Sequence, residues 1–315
     1  MGLWAYVGRR LLALLPILLG ISVLVFMLVH LIPGNPAVTI LGNKATPERV
    51  ALLTHEWGLD RSLPAQFASF LGRLLHGDLG QSLFYDVGAG GLVMQKLPVT
   101  LFLIALSGLM SMLIAVPLAV LAATRRERLP DHLVRAVPLV GLGFPQFWVG
   151  IMLLLVFGLH LGQVFPVGEY GTGGFLDHLH HLILPSLTIA LSIAPILIRS
   201  LRASLLEVLE SDYITTARSK GLPERRVLLG HGLRNAVIST VSVLGVNLAF
   251  LVGTTVVVEQ VFNLGGVGQL MINSVFQRDF PVVQAVTLAF AVLVVLIYLA
   301  TDVVQALLDP RVRFD

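Results

Sequence analysis

The sequence predicts an all-helical integral membrane protein with six spanning helices, and three observations carry that reading. Of its 315 residues, 56% are hydrophobic and only 12% charged, and the mean hydropathy is +0.88. An ordinary soluble domain carries roughly 25% charged residues, so this chain lacks the polar side chains to cover a water-facing surface. Its apolar residues also come in unbroken runs, each long enough to cross about 30 Å of hydrocarbon as a helix. Lipid bonds no peptide group, which makes a helix the natural form of such a run. Lysine and arginine, finally, gather in alternate connecting segments, as cytoplasmic loops do.

The spans fall at 11–32, 99–123, 137–161, 182–198, 236–258 and 282–308. The second contains Pro117 and the fourth Pro185 and Pro195. Each removes a helical hydrogen bond and bends its helix, which a membrane bundle tolerates when neighbours re-satisfy the freed carbonyl. Arg9 and Arg10 before the first run suggest a secretory signal. That run is too long for one, however, and Ile32-Pro33-Gly34-Asn35-Pro36 offers no small-x-small cleavage site, so it is taken as a retained helix.

With the N-terminus inside, only Lys44, Arg49, Arg61, Arg73, Lys96 and Arg278 of the 21 basic residues lie outside. Five of these six share one long loop, a kind that weighs little in orientation. The outer stretch 162–181 has neither lysine nor arginine. Both termini are therefore expected in the cytoplasm. The organisation reads as an N-terminus and first helix over 1–32, an outer segment over 33–98, and a core over 99–315. Within the outer segment, short helices are expected at 46–56 and 64–75; within the core, a long inner loop covers 199–235.

Several functions are excluded or disfavoured. There is no cysteine, hence no disulfide framework or thiolate chemistry. No G-x-x-x-x-G-K-[ST] loop is present to cradle ATP phosphates, and neither G-x-S-x-G nor H-E-x-x-H supports hydrolysis. No catalytic residue, bound cofactor or nucleic-acid partner is expected. Ionisable residues are almost missing from the spans, with His30 and Asp302 near ends and Glu259 just outside. A proton-coupled carrier needs a titratable relay near the midplane. A sodium-coupled carrier working through carbonyls and hydroxyls stays open as the alternative class.

The inner loop carries the most information. Asp212 reads as an N-cap, Arg218 and Lys220 complement the dipole of the last turn, Gly221 supplies a left-handed stop, and Pro223 starts a new helix. A helix of about two turns and a sharp corner follow, then a basic helix over 224–234. Tyr213, Ala217 and Gly221 recur at i, i+4, i+8 as one face that could seat in a partner's groove. These residues alone equally suit a basic loop gripping anionic headgroups.

The segment resembles the coupling loop of ABC-importer permeases. Only Ala217 and Gly221 match the generic E-A-A-x-x-x-G form, and Leu233 alone matches the later I-x-L-P. Asp212-Tyr213-Ile214, Thr216-Ala217-Arg218, Lys220-Gly221-Leu222 and Leu233-Arg234-Asn235-Ala236 are similar to the variant in the dipeptide, oligopeptide and nickel branch. Further blocks agree along the chain. They include Pro33-Gly34-Asn35-Pro36, Gly58-Leu59-Asp60, Gly77-Asp78-Leu79-Gly80-Gln81-Ser82, Phe144-Pro145-Gln146-Phe147-Trp148, Arg278-Asp279-Phe280-Pro281 and Asp309-Pro310-Arg311-Val312-Arg313. The branch usually has Pro-Gly-x-Gly where this chain has Gly265-Gly266-Val267-Gly268.

The resemblance implies the fold of a type I ABC importer permease in the bacterial cytoplasmic membrane, forming half of a path for di- or oligopeptides. A nickel or glutathione permease of the same branch is the alternative. It implies as partners a homologous second permease, two cytoplasmic ATPases that use ATP, and an extracytoplasmic solute-binding protein, besides membrane lipid. Asp212, Tyr213, Thr215, Thr216, Ala217, Arg218, Lys220 and Gly221 become the candidate ATPase contacts. Gln146 and Asn247 are candidates for lining the path, with bonding between helices as the alternative. Asp60, Gln66, Asp78 and Gln81 are candidate contacts for the binding protein. Asp177, His178, His180 and His181 invite a metal reading, against which an interfacial outer loop is preferred.

Overall fold

The computed structural model of the chain describes residues 3–31, 36–41, 45–56, 58–82, 84–161 and 164–308. The sequence blocks at 33–35 and 309–313, together with Lys44, lie outside these. Helices follow one another along the described chain: α1 (Leu3–His30), α2 (Pro36–Leu41), α3 (Pro47–Glu56), α4 (Leu63–Leu75), α5 (Ala89–Thr124), α6 (Leu129–Leu142) and α7 (Gln146–Leu153), which runs on as a π-helical stretch to His160. After these come α8 (Phe175–Leu209), α9 (Asp212–Ser219), α10 (Glu224–Arg226), a second π-helical stretch (Val227–Leu233), α11 (Arg234–Val261), α12 (Val267–Gln277) and α13 (Phe280–Leu308).

The six spans are α1, the α6–α7 pair, and α5, α8, α11 and α13. Among the described residues, Ala89–Thr124, Phe175–Leu209, Glu224–Val261 and Phe280–Leu308 are long and apolar enough to cross a membrane alone. Two points differ from the sequence reading. The third span is not one rod: it breaks at Gly143, Phe144 and Pro145 between α6 and α7. The second and fourth spans are parts of much longer helices, α5 and α8. At 35 residues, α8 measures about 52 Å, against about 30 Å of hydrocarbon, so its ends project into water.

Small side chains set the core. Ala115, Ala119, Ala122 and Ala123 form one buried stripe on the inner half of α5, packed with Leu197, Leu201 and Leu205 of α8. Alanines let two helix backbones approach closely, which replaces the hydrophobic driving force that lipid removes. The first helix is attached differently. Gln284 Nε2 on α13 donates to the Val25 carbonyl at 3.0 Å, and the Phe26 ring meets Phe67 and Phe70 of α4 at 5.3 and 5.9 Å.

One buried ion pair fixes the inner end of the bundle. Asp131, fully buried in the first turn of α6, accepts two bonds from Arg202 of α8, at 2.6 Å from Nε and 2.7 Å from Nη2. It also accepts the Glu127 N–H at 3.0 Å, and Arg135 stands 3.6 Å away. The Arg202 bonds hold the carboxyl at about 2 rather than the usual 3.8, with burial opposing them. Such a forked pair restrains two helices relative to each other. Asp131→Asn should lower the unfolding free energy by about 2 kcal/mol, because it takes the charge from the fork that holds the half-buried Arg202 guanidinium. The depressed carboxyl stabilises fully above its unfolded value and progressively less as pH falls toward 2. An acid titration of detergent-solubilised protein should therefore show an increment lost below about pH 4 in the wild type and missing in the variant.

Candidate functional site

The inner loop emerges as a small folded unit at the projecting ends of α8 and α11. The N-cap of α9 is Ser211, with extended backbone (φ −74°, ψ 153°), and Asp212 is the first helical residue. This corrects the cap expected at Asp212. Ser211 Oγ donates to the Val208 carbonyl at 2.5 Å, so its side chain serves the preceding helix, while Asp212 still complements the dipole of its own. At the other end Gly221 takes a left-handed conformation, φ +77°. Its N–H bonds to the Arg218 carbonyl at 2.9 Å and that of Leu222 to Ala217 at 3.4 Å, the pair of bonds that ends many helices in a sharp turn.

Burial separates the candidate contacts into two sets. Ile214 and Ala217 are buried against Val227, with Val208, Leu209 and Leu222 around them. Ala217 thus anchors α9 and does not share an outward face with Tyr213 and Gly221, as the i, i+4, i+8 spacing suggested. Asp212, Tyr213, Thr215, Thr216, Arg218, Lys220 and Gly221 are exposed. Two of them are also tied down. Tyr213 Oη accepts from Asn235 Nδ2 at 2.9 Å, and Arg218 grips Glu224 through Nη2 at 2.7 Å and Nε at 3.2 Å. Arg126 and Glu210 pair at 2.6 Å, joining the α5–α6 corner to the end of α8. The basic helix expected over 224–234 is present as α10 and its π-helical continuation into α11.

At the opposite end lies a second built cluster, around a residue that the sequence reading placed outside its span. Because α11 continues to Val261, Glu259 sits inside the helix and is fully buried. Thr100 Oγ1 of α5 donates to Glu259 Oε1 at 2.6 Å and accepts the Val267 N–H at 2.9 Å. The Gln269 N–H donates to Glu259 Oε2 at 3.0 Å. One carboxylate therefore caps the first turn of α12 and binds it to α5. Gly266 permits this approach, since a Cβ there would stand 2.5 Å from Glu259 Oε2. The signal was present in the sequence as an acidic residue followed at short range by Gly265-Gly266-Val267-Gly268.

Residues 115–314 match the family described as the binding-protein-dependent transport system inner membrane component, and residues 3–104 match its N-terminal counterpart. The glutathione transport system permease protein GsiC of Salmonella typhimurium strain LT2 is 40% identical over 309 residues, covering 98% of this chain and 99% of that protein. Its counterpart in Escherichia coli strain K12 is 39% identical over the same length and shares. The chain belongs to this permease family. In fold it is similar to a structure of the inward-facing MetNI methionine ABC transporter, with a TM-score of 0.57 at 19% identity, covering 69% of this chain and 96% of that one. The protein is thus a multi-pass permease subunit of an ABC importer in the inner membrane.

The remaining candidates of this permease fall in different settings. Gln146 is the first residue of α7, and its Nε2 is buried without a hydrogen-bond partner. Asn247 Nδ2 donates to the Val243 carbonyl of its own helix at 2.7 Å, which uses one of its two N–H donors. Asp60, Asp78 and Gln81 are exposed on the outer segment, whereas Gln66 is buried. Gln66 donates to the Leu59 and Arg61 carbonyls at 3.3 and 2.8 Å and pairs with His30 at 2.9 Å. Its amide fastens the outer helices to α1 and leaves nothing to offer a binding protein. Ser82 and buried Asp279 bond to each other, closing the outer turn onto the start of α13.

The histidines act separately. His178 Nδ1 lies 3.0 Å from the Tyr170 carbonyl with its ring stacked on Tyr170, His180 Nε2 lies 3.0 Å from the Val164 carbonyl, and His181 Nδ1 lies 2.9 Å from that of Asp177. Among the described residues no three metal-binding side chains converge. Glu259→Ala should cost about 3 kcal/mol, since it strands the Thr100 hydroxyl and the Gln269 N–H. Glu259→Gln should cost less. Thermal denaturation of the purified permease in detergent measures both, and equal losses would assign the effect to the two accepting oxygens and not to packing.

Proposed function

We propose that this permease forms half of an ATP-driven import path for small peptide-bonded solutes, glutathione or short peptides, with α9 as the element that the motor grips. The observation that carries this is the α9 unit, a capped helix held beyond the bilayer on two long helices with seven candidate contacts exposed. Its buried anchors make it move with α8 and α11 as one piece. The relative at 40% identity along nearly the whole chain is named for glutathione transport, which supports the solute class. The partners are a second permease, two cytoplasmic ATPases that hydrolyse ATP, and an outer solute-binding protein met by Asp60, Asp78 and Gln81. Both termini lie in the cytoplasm, on the side holding fifteen of the 21 basic residues. ATP-driven closure of the motors acts by preferring one of two bundle states, and it shifts their balance only by that preference.

The test is uptake by the assembled transporter in proteoliposomes. Gly221→Pro should abolish ATP-dependent uptake with membrane insertion intact, because proline cannot adopt the left-handed turn. Arg218→Glu should also abolish it, by facing Glu224 with a like charge. Adding Glu224→Arg restores the pair in reverse. Recovery would assign Arg218 to the internal clasp, and continued loss to the motor surface. The self-sufficient sodium-coupled alternative predicts that the chain alone moves solute down a sodium gradient without ATP. That result, or full uptake by Gly221→Pro, overturns the reading.

A further inference from the structure

The last turn of α1 holds a histidine whose two ring nitrogens both face oxygen. His30 Nδ1 lies 3.1 Å from the Phe26 carbonyl of its own helix, and Nε2 lies 2.9 Å from Gln66 Oε1 on α4. Both partners can only accept, so each ring nitrogen must donate. Turning the amide round does not relieve this. Gln66 Nε2 already donates to the Leu59 carbonyl at 3.3 Å and the Arg61 carbonyl at 2.8 Å, and a flipped amide would set its oxygen against both. A neutral imidazole carries one N–H and an imidazolium two. Only the doubly protonated ring completes the arrangement.

The ring stands where three parts of the chain meet. Phe26 packs on His30 with ring centroids 4.5 Å apart, and also on Phe67 and Phe70 of α4. Gln284 of α13 holds the same stretch of α1 through the Val25 carbonyl. The cleft around His30 is lined by Phe26, Leu59, Gln66, Phe70, Arg73 and Gln284. Arg73 is the one charged side chain among these, a guanidinium that repels an imidazolium, and no carboxylate lines the cleft to hold the second proton. Asp60 and Arg61 are exposed, with the Arg61 side chain folded back over Gly58. Gln66 thus grips the carbonyls on either side of Asp60, and one amide connects the His30 ring to the loop that presents this carboxylate.

We propose that His30 is an acid-strengthened clasp. Doubly protonated, it fixes α4 and the Asp60 loop to α1. On losing one proton it has a single N–H, for which the Phe26 and Gln66 oxygens compete, and the outer helices loosen. His30 is a positioning residue, since it acts on Asp60 through Gln66. The clasp stands apart from the importer reading, and only what Asp60 then meets rests on that reading.

The chain has no cysteine, so spin labels on Ser69→Cys of α4 and Gln95→Cys of α5, both exposed, are the only labels it carries. Pulsed dipolar spectroscopy of the full-length chain in detergent reads the distance between them at about pH 5 and about pH 8, either side of the histidine range. One narrow distance is expected in acid. At the higher pH a released population should grow about ten-fold relative to it, as for one lost charge-assisted bond. His30→Gln, which donates without titrating, and Gln66→Leu, which removes the acceptor, should each give the same distribution at both pH values. The two variants remove one bond from opposite sides, so either alone decides.

A wild-type distribution that is the same at both pH values overturns the clasp. A pH response that survives in either variant assigns it to another group, such as His55 or His76 of the outer segment, and also overturns it. ATP-driven uptake by the wild-type assembly tests the importer reading by itself, so the two can fail separately.

Discussion

Hydrocarbon offers no hydrogen bond to a peptide group, and the whole architecture answers that constraint. Every long apolar run closes its bonds within a helix. Where a run cannot do so, the exception has a visible arrangement. The third span breaks at a Gly-Phe-Pro sequence and restarts beside an unpartnered glutamine and two stacked rings. Two of the buried carboxylates show the same rule at opposite ends. Asp131 meets a forked guanidinium at the inner end, and Glu259 meets a hydroxyl and the first turn of α12 at the outer end.

These two carboxylates give the bundle fixed points at both faces. Asp131 ties α6, and through it the broken span, to the part of α8 that carries α9. Glu259 ties α11 to α5 and α12. Between them the contacts are mostly small and apolar, as along the alanine stripe of α5. Dispersion contacts of that kind permit sliding, whereas charged and bidentate bonds resist it. Motion delivered at α9 would be carried along α8 and α11 as rigid elements.

Much of this was legible in the sequence, because hydrophobic run length is a direct readout of bilayer thickness. The left-handed stop at Gly221 and the restart at Pro223 followed from local backbone preference and stand as read. Misreadings arose where the answer lay in a neighbour. Asp212 read as the cap, but Ser211, bonded to the end of α8, takes that place. The i, i+4, i+8 pattern put Ala217 on a shared face, but Val227, ten residues on, folded back to bury it. Gln66 looked like a surface amide until His30 and the turn around Arg61 claimed it. Glu259 seemed to lie outside its span because an acidic residue ends a hydropathy run, whatever partners await it.

By itself, then, the chain's sequence determined that it crosses a membrane as helices, where the runs lie, and where α9 stops, since each depends on residues close together in the chain. Tertiary structure alone decided which polar groups are spent and which remain available. That depends on partners as far as 259 residues away, as between Gln284 and Val25, and no local pattern encodes a donor's distant acceptor.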